Sequence, residues 1–118
     1  MTVEAAMKSM NRALKVLGEA VTDEGRKDEA LRLVSDAQRG CATAKMLPLP
    51  LEFMKGAADE AAKAKVQAEY AADLRKTMRM LLDVEDAIAA GKGDEAKAIL
   101  AKVEEMRQHA HKELGVDE

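Results

Sequence analysis

The chain has 118 residues, with 19 basic and 22 acidic side chains and a formal net charge of −3. That length suits one domain over residues 1–118 around one core, the mixed charge leaves no electrostatic footprint for nucleic acid, and no apolar run reaches the length of a membrane span. One Phe, one Tyr and no Trp, set among many Ala, Lys, Glu, Leu and Met, point to long helices rather than a sheet, so the expected fold class is all-α. The N-terminus carries no apolar targeting segment, and the chain is expected to be soluble, with any leader peptide already removed. The single cysteine, Cys41, cannot close an internal disulfide and lacks the partner thiols of a zinc site. It is read as a buried small residue rather than a reactive thiol.

In chain order, Val3, Met7, Met10, Leu14, Leu17 and Val21 recur at three- and four-residue steps and predict a first helix from Val3 to about Ala20. Thr22 and Asp23 are N-cap types. Ala30, Leu31, Val34, Ala37, Gln38 and Cys41 then predict a second helix ending near Ala44. In "KMLPLPLEF" the prolines Pro48 and Pro50 remove backbone donors and disfavour helix before them, which makes this the one long crossover. A third helix is expected from near Phe53 or Gly56 to Ala90, with Val66, Tyr70, Leu74, Met78, Leu81, Val84, Ala87 and Ile88 as its apolar stripe. Its Ala-, Lys- and acid-rich start, Ala57 to Lys65, is expected to extend beyond the core. Gly91 suits a C-terminal cap and Asp94 an N-cap, before a fourth helix carrying Ala96, Ile99, Leu100, Val103, Met106, Ala110 and Leu114. Two short turns and one longer link predict an antiparallel up-down-up-down four-helix bundle. This topology brings the N-terminal methionines and the C-terminal histidines to one end.

At 100° per residue, Arg107 and His111 fall on one edge of the fourth helix's apolar stripe, and His109 falls well outside it. His111 thus stands as either a satisfied interior residue or a ligand. His109 reads as a solvated side chain, because an H-x-H pair on a helix diverges too far to chelate one ion. Met7 and Met10 face inward, where methionine is a common gap-filler. Their position gives them a second reading, since a thioether from the first helix and an imidazole from the last meet at one end of one bundle. A planar cofactor between the helices would be held from both faces by such a pair. Haem iron accepts Met/His ligation, which raises its potential and suits electron transfer.

These residues carry a family resemblance. "MKSMNRALKVL", residues 7–17, is similar to the first helix of the cytochrome b562 family, with its methionine, an asparagine four residues later and a following L-K-V. "GKGDEAKAILAKVEEMRQHAH", residues 91–111, resembles that family's last turn and fourth helix, including an Arg with a His four residues on. The resemblance implies that Met7 and His111 are axial ligands of iron, and that Arg107 pairs with a haem propionate, a role suited to a bidentate guanidinium. It implies pocket walls at Met10 and Leu14, and a proline pair closing over the haem at Pro48 and Pro50. Tyr70 and Leu74 occupy the places of two haem-packing aromatics, and Leu74 departs from that pattern by lacking a ring. The crossover and the start of the third helix also exceed the family's length by roughly two helical turns.

No C-x-x-C-H is present, so the expected group is haem b, held non-covalently. Nor is there a nucleophile-plus-base grouping, a Gly-rich phosphate loop or the paired Glu-x-x-His of di-iron bundles. With both axial positions filled by protein, the expected role is one-electron transfer, not enzymatic turnover, and no catalytic residue is assigned. The resemblance implies a periplasmic home and unidentified redox partner proteins; a monomer or weak oligomer is expected, with no membrane or nucleic-acid partner. Two alternatives stand beside this reading. One is a haem-free bundle serving as a binding or interaction module. The other is a copper-binding protein, because eight methionines supply soft thioethers suited to Cu(I).

Overall fold

The computed structural model describes residues 2–48 and 59–114, with 110–114 described as backbone only. Thr2 starts α1, Val3–Ala20, by accepting the Ala5 N–H on its Oγ1 at 3.1 Å, which satisfies one orphan amide of the first turn. Val3, Ala6, Met10, Ala13, Leu14 and Leu17 are then buried along one face. Asp23 accepts the Gly25 N–H at 3.0 Å and opens a 3-10 turn over Glu24–Arg26. Of the two N-cap types, Asp23 therefore caps a turn, and α2 begins beyond it as Lys27–Met46. This helix passes its expected end at Ala44 because Pro48 constrains only the residue before it. Leu47 takes the extended backbone (φ −104°, ψ 143°) that a following proline enforces.

The third helix, α3, spans Glu60–Ala89, and its N-cap is Asp59, whose Oδ1 accepts the Ala62 N–H at 2.8 Å. Asp59 is extended (φ −149°), so the helix does not run unbroken from Phe53 or Gly56, positions that lie outside the described residues. A carboxylate within reach of a first-turn amide sets the start instead. Tyr70 is the first buried residue of α3. Val66 is half-buried against the core, whereas the residues before it, Glu60 to Lys65, extend past it as the composition of that stretch predicts.

At the far end of α3, Gly91 has φ +75°, a left-handed conformation that costs a side chain about 1–2 kcal/mol. There the Gly91 N–H bonds the Ile88 carbonyl at 3.0 Å and the Lys92 N–H bonds the Ala87 carbonyl at 2.8 Å, the paired pattern of a Schellman cap. The last helix, α4, is Gly93–Leu114, and Asp94 lies inside its first turn rather than before it. In that place its charge meets the positive end of the helix dipole. Gly93 leads because a Cβ there would stand 2.2 Å from the Val21 carbonyl oxygen.

The helices pack as an all-α, antiparallel up-down-up-down bundle, and no strand occurs among the described residues. Sequential helices pack extensively, whereas α1 and α4 touch only sparsely among the described residues. Leu17, Val34, Leu81, Val84 and Val103, each under 2% exposed, fill the centre, and each such burial stabilises by about 1.5–3 kcal/mol. Gln38, polar but on the inward face of α2, spends its amide on the Glu85 carboxylate at 2.8 Å and the Leu81 carbonyl at 3.4 Å. That clasps α2 to α3.

Candidate functional site

The contact of Gly93 with Val21 sets α4 beginning where α1 ends. Counting about 1.5 Å per residue from there along two antiparallel helices, Met7 stands roughly level with Arg107, and Val3 with His111. A second chain of contacts joins the other helices to this layer. A Cβ on Gly40 would lie 3.0 Å from both the Ala6 carbonyl oxygen and the Met10 Cβ, so α2 approaches α1 closely at this level. Next to it, the Cys41 thiol donates to the Leu74 carbonyl at 3.3 Å, and Tyr70 lies near Cys41. All four helices therefore contribute to one layer toward the end of the bundle that is remote from the two short turns.

Met10 (1% exposed), Leu14, Tyr70 (5%) and Leu74 are buried, and Met7 is half-buried against the same core. Arg107 is buried as well, with its guanidinium Nη1 paired to the half-exposed Glu104 carboxylate. Here the sequence expectation needs correction. The inward line of α4 runs Ala96, Val103, Arg107, with Met106 only half-buried, so Arg107 lies at the centre of the buried stripe and not on its edge. His111 continues that line one turn on, by backbone register; its side chain is outside the described residues. His109 is exposed. Pro48 is exposed, and Pro50 falls outside the described residues.

Burial pushes the Tyr70 hydroxyl up to about 12, reinforced by the neighbouring Cys41. Burial likewise raises the Cys41 thiol to about 11, against a weaker opposing pull from Lys45. Both groups are therefore neutral at ordinary pH, which leaves Cys41 a hydrogen-bonded packing residue rather than a nucleophile. The Tyr70 oxygen is buried and has no hydrogen-bond partner among the described residues. An orphaned polar group of this kind costs about 1–3 kcal/mol. A buried guanidinium and a hydroxyl without a partner among the described residues thus both lie toward this end of the bundle.

Sequence reasoning overlooked Gly40 and the close approaches at both glycines. A glycine in the middle of an otherwise good helix was the available signal, because it lowers helix propensity by about 1 kcal/mol relative to Ala without local benefit.

No cluster of three or more His, Cys, Asp or Glu side chains able to hold a metal occurs among the described residues. None of the helices searched, again among the described residues, is long and apolar enough to cross a membrane. Neither a curated protein nor a solved structure matches the chain. A family model does match: the one described as Cytochrome b562 covers residues 2–114. Nearly the whole four-helix chain is thus included, and the protein belongs to the cytochrome b562 family of haem-binding cytochromes.

Proposed function

We propose that the protein is a small one-electron carrier that binds one haem b non-covalently, with the Met7 thioether and the His111 imidazole as axial ligands. The observation that carries this reading is the common level of Met7 and Arg107 on helices that touch only sparsely among the described residues, with His111 one turn further along the stripe occupied by Arg107. The donor chemistry fits, because a thioether and an imidazole are ligands that haem iron accepts together. The inward guanidinium fits too, as a partner for a propionate carboxylate. Met10, Leu14, Tyr70 and Leu74 would line the pocket and exclude water, and the prolines Pro48 and Pro50 would close it. Cys41 is buried on α2 and engaged with Leu74, which leaves the group to be held without a covalent thioether.

Bound haem supplies a one-electron iron couple. Two protein ligands leave that iron no open position for a substrate, so the protein carries electrons between redox partner proteins and is not an enzyme. A periplasmic, soluble, monomeric or weakly associating protein fits this role.

The test is an absorption titration of the haem-free chain with haem. Sharp Soret and α bands on reduction are expected, with both lost in Met7→Ala and in His111→Ala. Absence of any spectral change would leave a haem-free interaction module as the better reading. Loss of binding in His109→Ala but not in His111→Ala would move the ligand to the other histidine.

A further inference from the structure

Tyr70 carries a buried polar group whose placement packing alone does not explain. The neighbouring Cys41 thiol has spent its donor on the Leu74 carbonyl at 3.3 Å, and further along α3 the Thr77 hydroxyl is spent on the Asp73 carbonyl at 2.8 Å. The Tyr70 ring is only 5% exposed, and its hydroxyl meets no acceptor among the described residues. A phenylalanine would fill the same space without the desolvation penalty of an unpaired hydroxyl. The group also remains a donor, since burial holds its pKa near 12. A neutral, desolvated O–H in a low-dielectric layer makes a strong bond to an anionic acceptor.

We propose that the Tyr70 hydroxyl donates a hydrogen bond to a carboxylate of the bound haem, and so discriminates a free-acid tetrapyrrole from an esterified one. The inference rests on the haem-binding reading above. The chemistry of the ligand narrows the acceptor: its ring nitrogens are committed to iron and its methyl and vinyl groups accept nothing, which leaves the carboxylates. Arg107, buried on the neighbouring α4, is a second side chain suited to a carboxylate.

The experiment compares the full chain with Tyr70→Phe, using haem and haem dimethyl ester as probes and thermal melting of the haem-free proteins as an independent readout. Removal of the orphaned hydroxyl raises the melting temperature of the haem-free chain. The same change weakens haem binding about tenfold, as expected for a lost hydrogen bond to a charged group, and leaves ester binding within about twofold. Equal haem affinities for the two proteins would overturn the role of Tyr70 while leaving the haem reading intact. Equal losses for acid and ester would make Tyr70 a packing residue only, and a lower melting temperature in the haem-free variant would mean that the hydroxyl already has its partner. Failure of both proteins to change the Soret region on adding haem would sink the haem reading and this inference together.

Discussion

The two ends of the bundle solve opposite problems. At the turn end the protein satisfies itself: Asp23 holds the Gly25 amide, Gly91 closes a Schellman cap, and Gly93 lets α4 press onto the Val21 carbonyl. At the other end lie a buried guanidinium and a hydroxyl without a partner among the described residues. The contrast teaches that the fold is anchored at one end and kept receptive at the other. Groups left costly by folding are those that a ligand can reward, since binding only to the folded state stabilises that state.

The largest expected effect tests the receptive end. Met7→Ala or His111→Ala should weaken haem binding beyond the roughly 10–100-fold typical of changes in residues that merely support a metal ligand. A Soret titration reads this, and a loss smaller than tenfold in both variants would remove them as axial ligands. At the anchored end, Gly93→Ala drives a methyl against the Val21 carbonyl oxygen, 2.2 Å away. It should cost about 2–3 kcal/mol in urea unfolding, because overpacking forces the backbones apart. Haem affinity per folded molecule should not change, and a parallel loss of affinity would mean that the two ends are coupled.

Arg107→Met reverses the pattern. The haem-free chain should keep its stability or gain slightly, because an apolar side chain of similar volume removes a buried charge. Haem affinity should fall about tenfold with the loss of a charge-assisted partner. Gly91→Ala should cost only about 1 kcal/mol, the strain of a side chain at φ +75°, and should leave the spectrum untouched.

The smallest effect is invisible at neutral pH. Cys41 and Tyr70 are raised to about 11 and about 12 in the fold, from ordinary values of 9.0 and 10.0. Their neutral forms favour the folded state, so this stability is fully present below about pH 9. It declines as pH rises through about 9–12, where the unfolded chain sheds protons that the folded chain retains. Melting temperatures of the haem-free chain should fall over that window, and less steeply in the double variant Cys41→Ala/Tyr70→Phe.

Much of this was legible in the residues alone. The three- and four-residue steps of Val3, Met10, Leu14 and Leu17 required one buried face on α1, and the structure buries all four. Gly91 announced a helix end for the same local reason, that only glycine takes a left-handed turn cheaply. Cys41 was read as a packing residue and is one. Local signals misled where two of them competed. Asp94 looked like an N-cap, but the space beside Val21 admits only a residue without a Cβ at the entry to α4, which moves the helix start to Gly93. Asp59, inside an otherwise helix-favouring run, caps α3 later than the pattern of Phe53 and Gly56 suggested.

By itself, the sequence determined the helices, their order and the side chains available to a cofactor, because amphipathic periodicity, capping and chain connectivity are local or topological properties. Only the tertiary structure decided which way each helix is rotated and which residues share a level. Rotation about a helix axis is set by the neighbours it packs against, and that is what turns Arg107 from the edge of a stripe to its centre. Level is set by contacts between residues far apart in sequence, Gly40 with Met10 and Gly93 with Val21. The Tyr70 hydroxyl, without a partner among the described residues, arises in the same way: a polar group becomes costly only when the surrounding helices have excluded water.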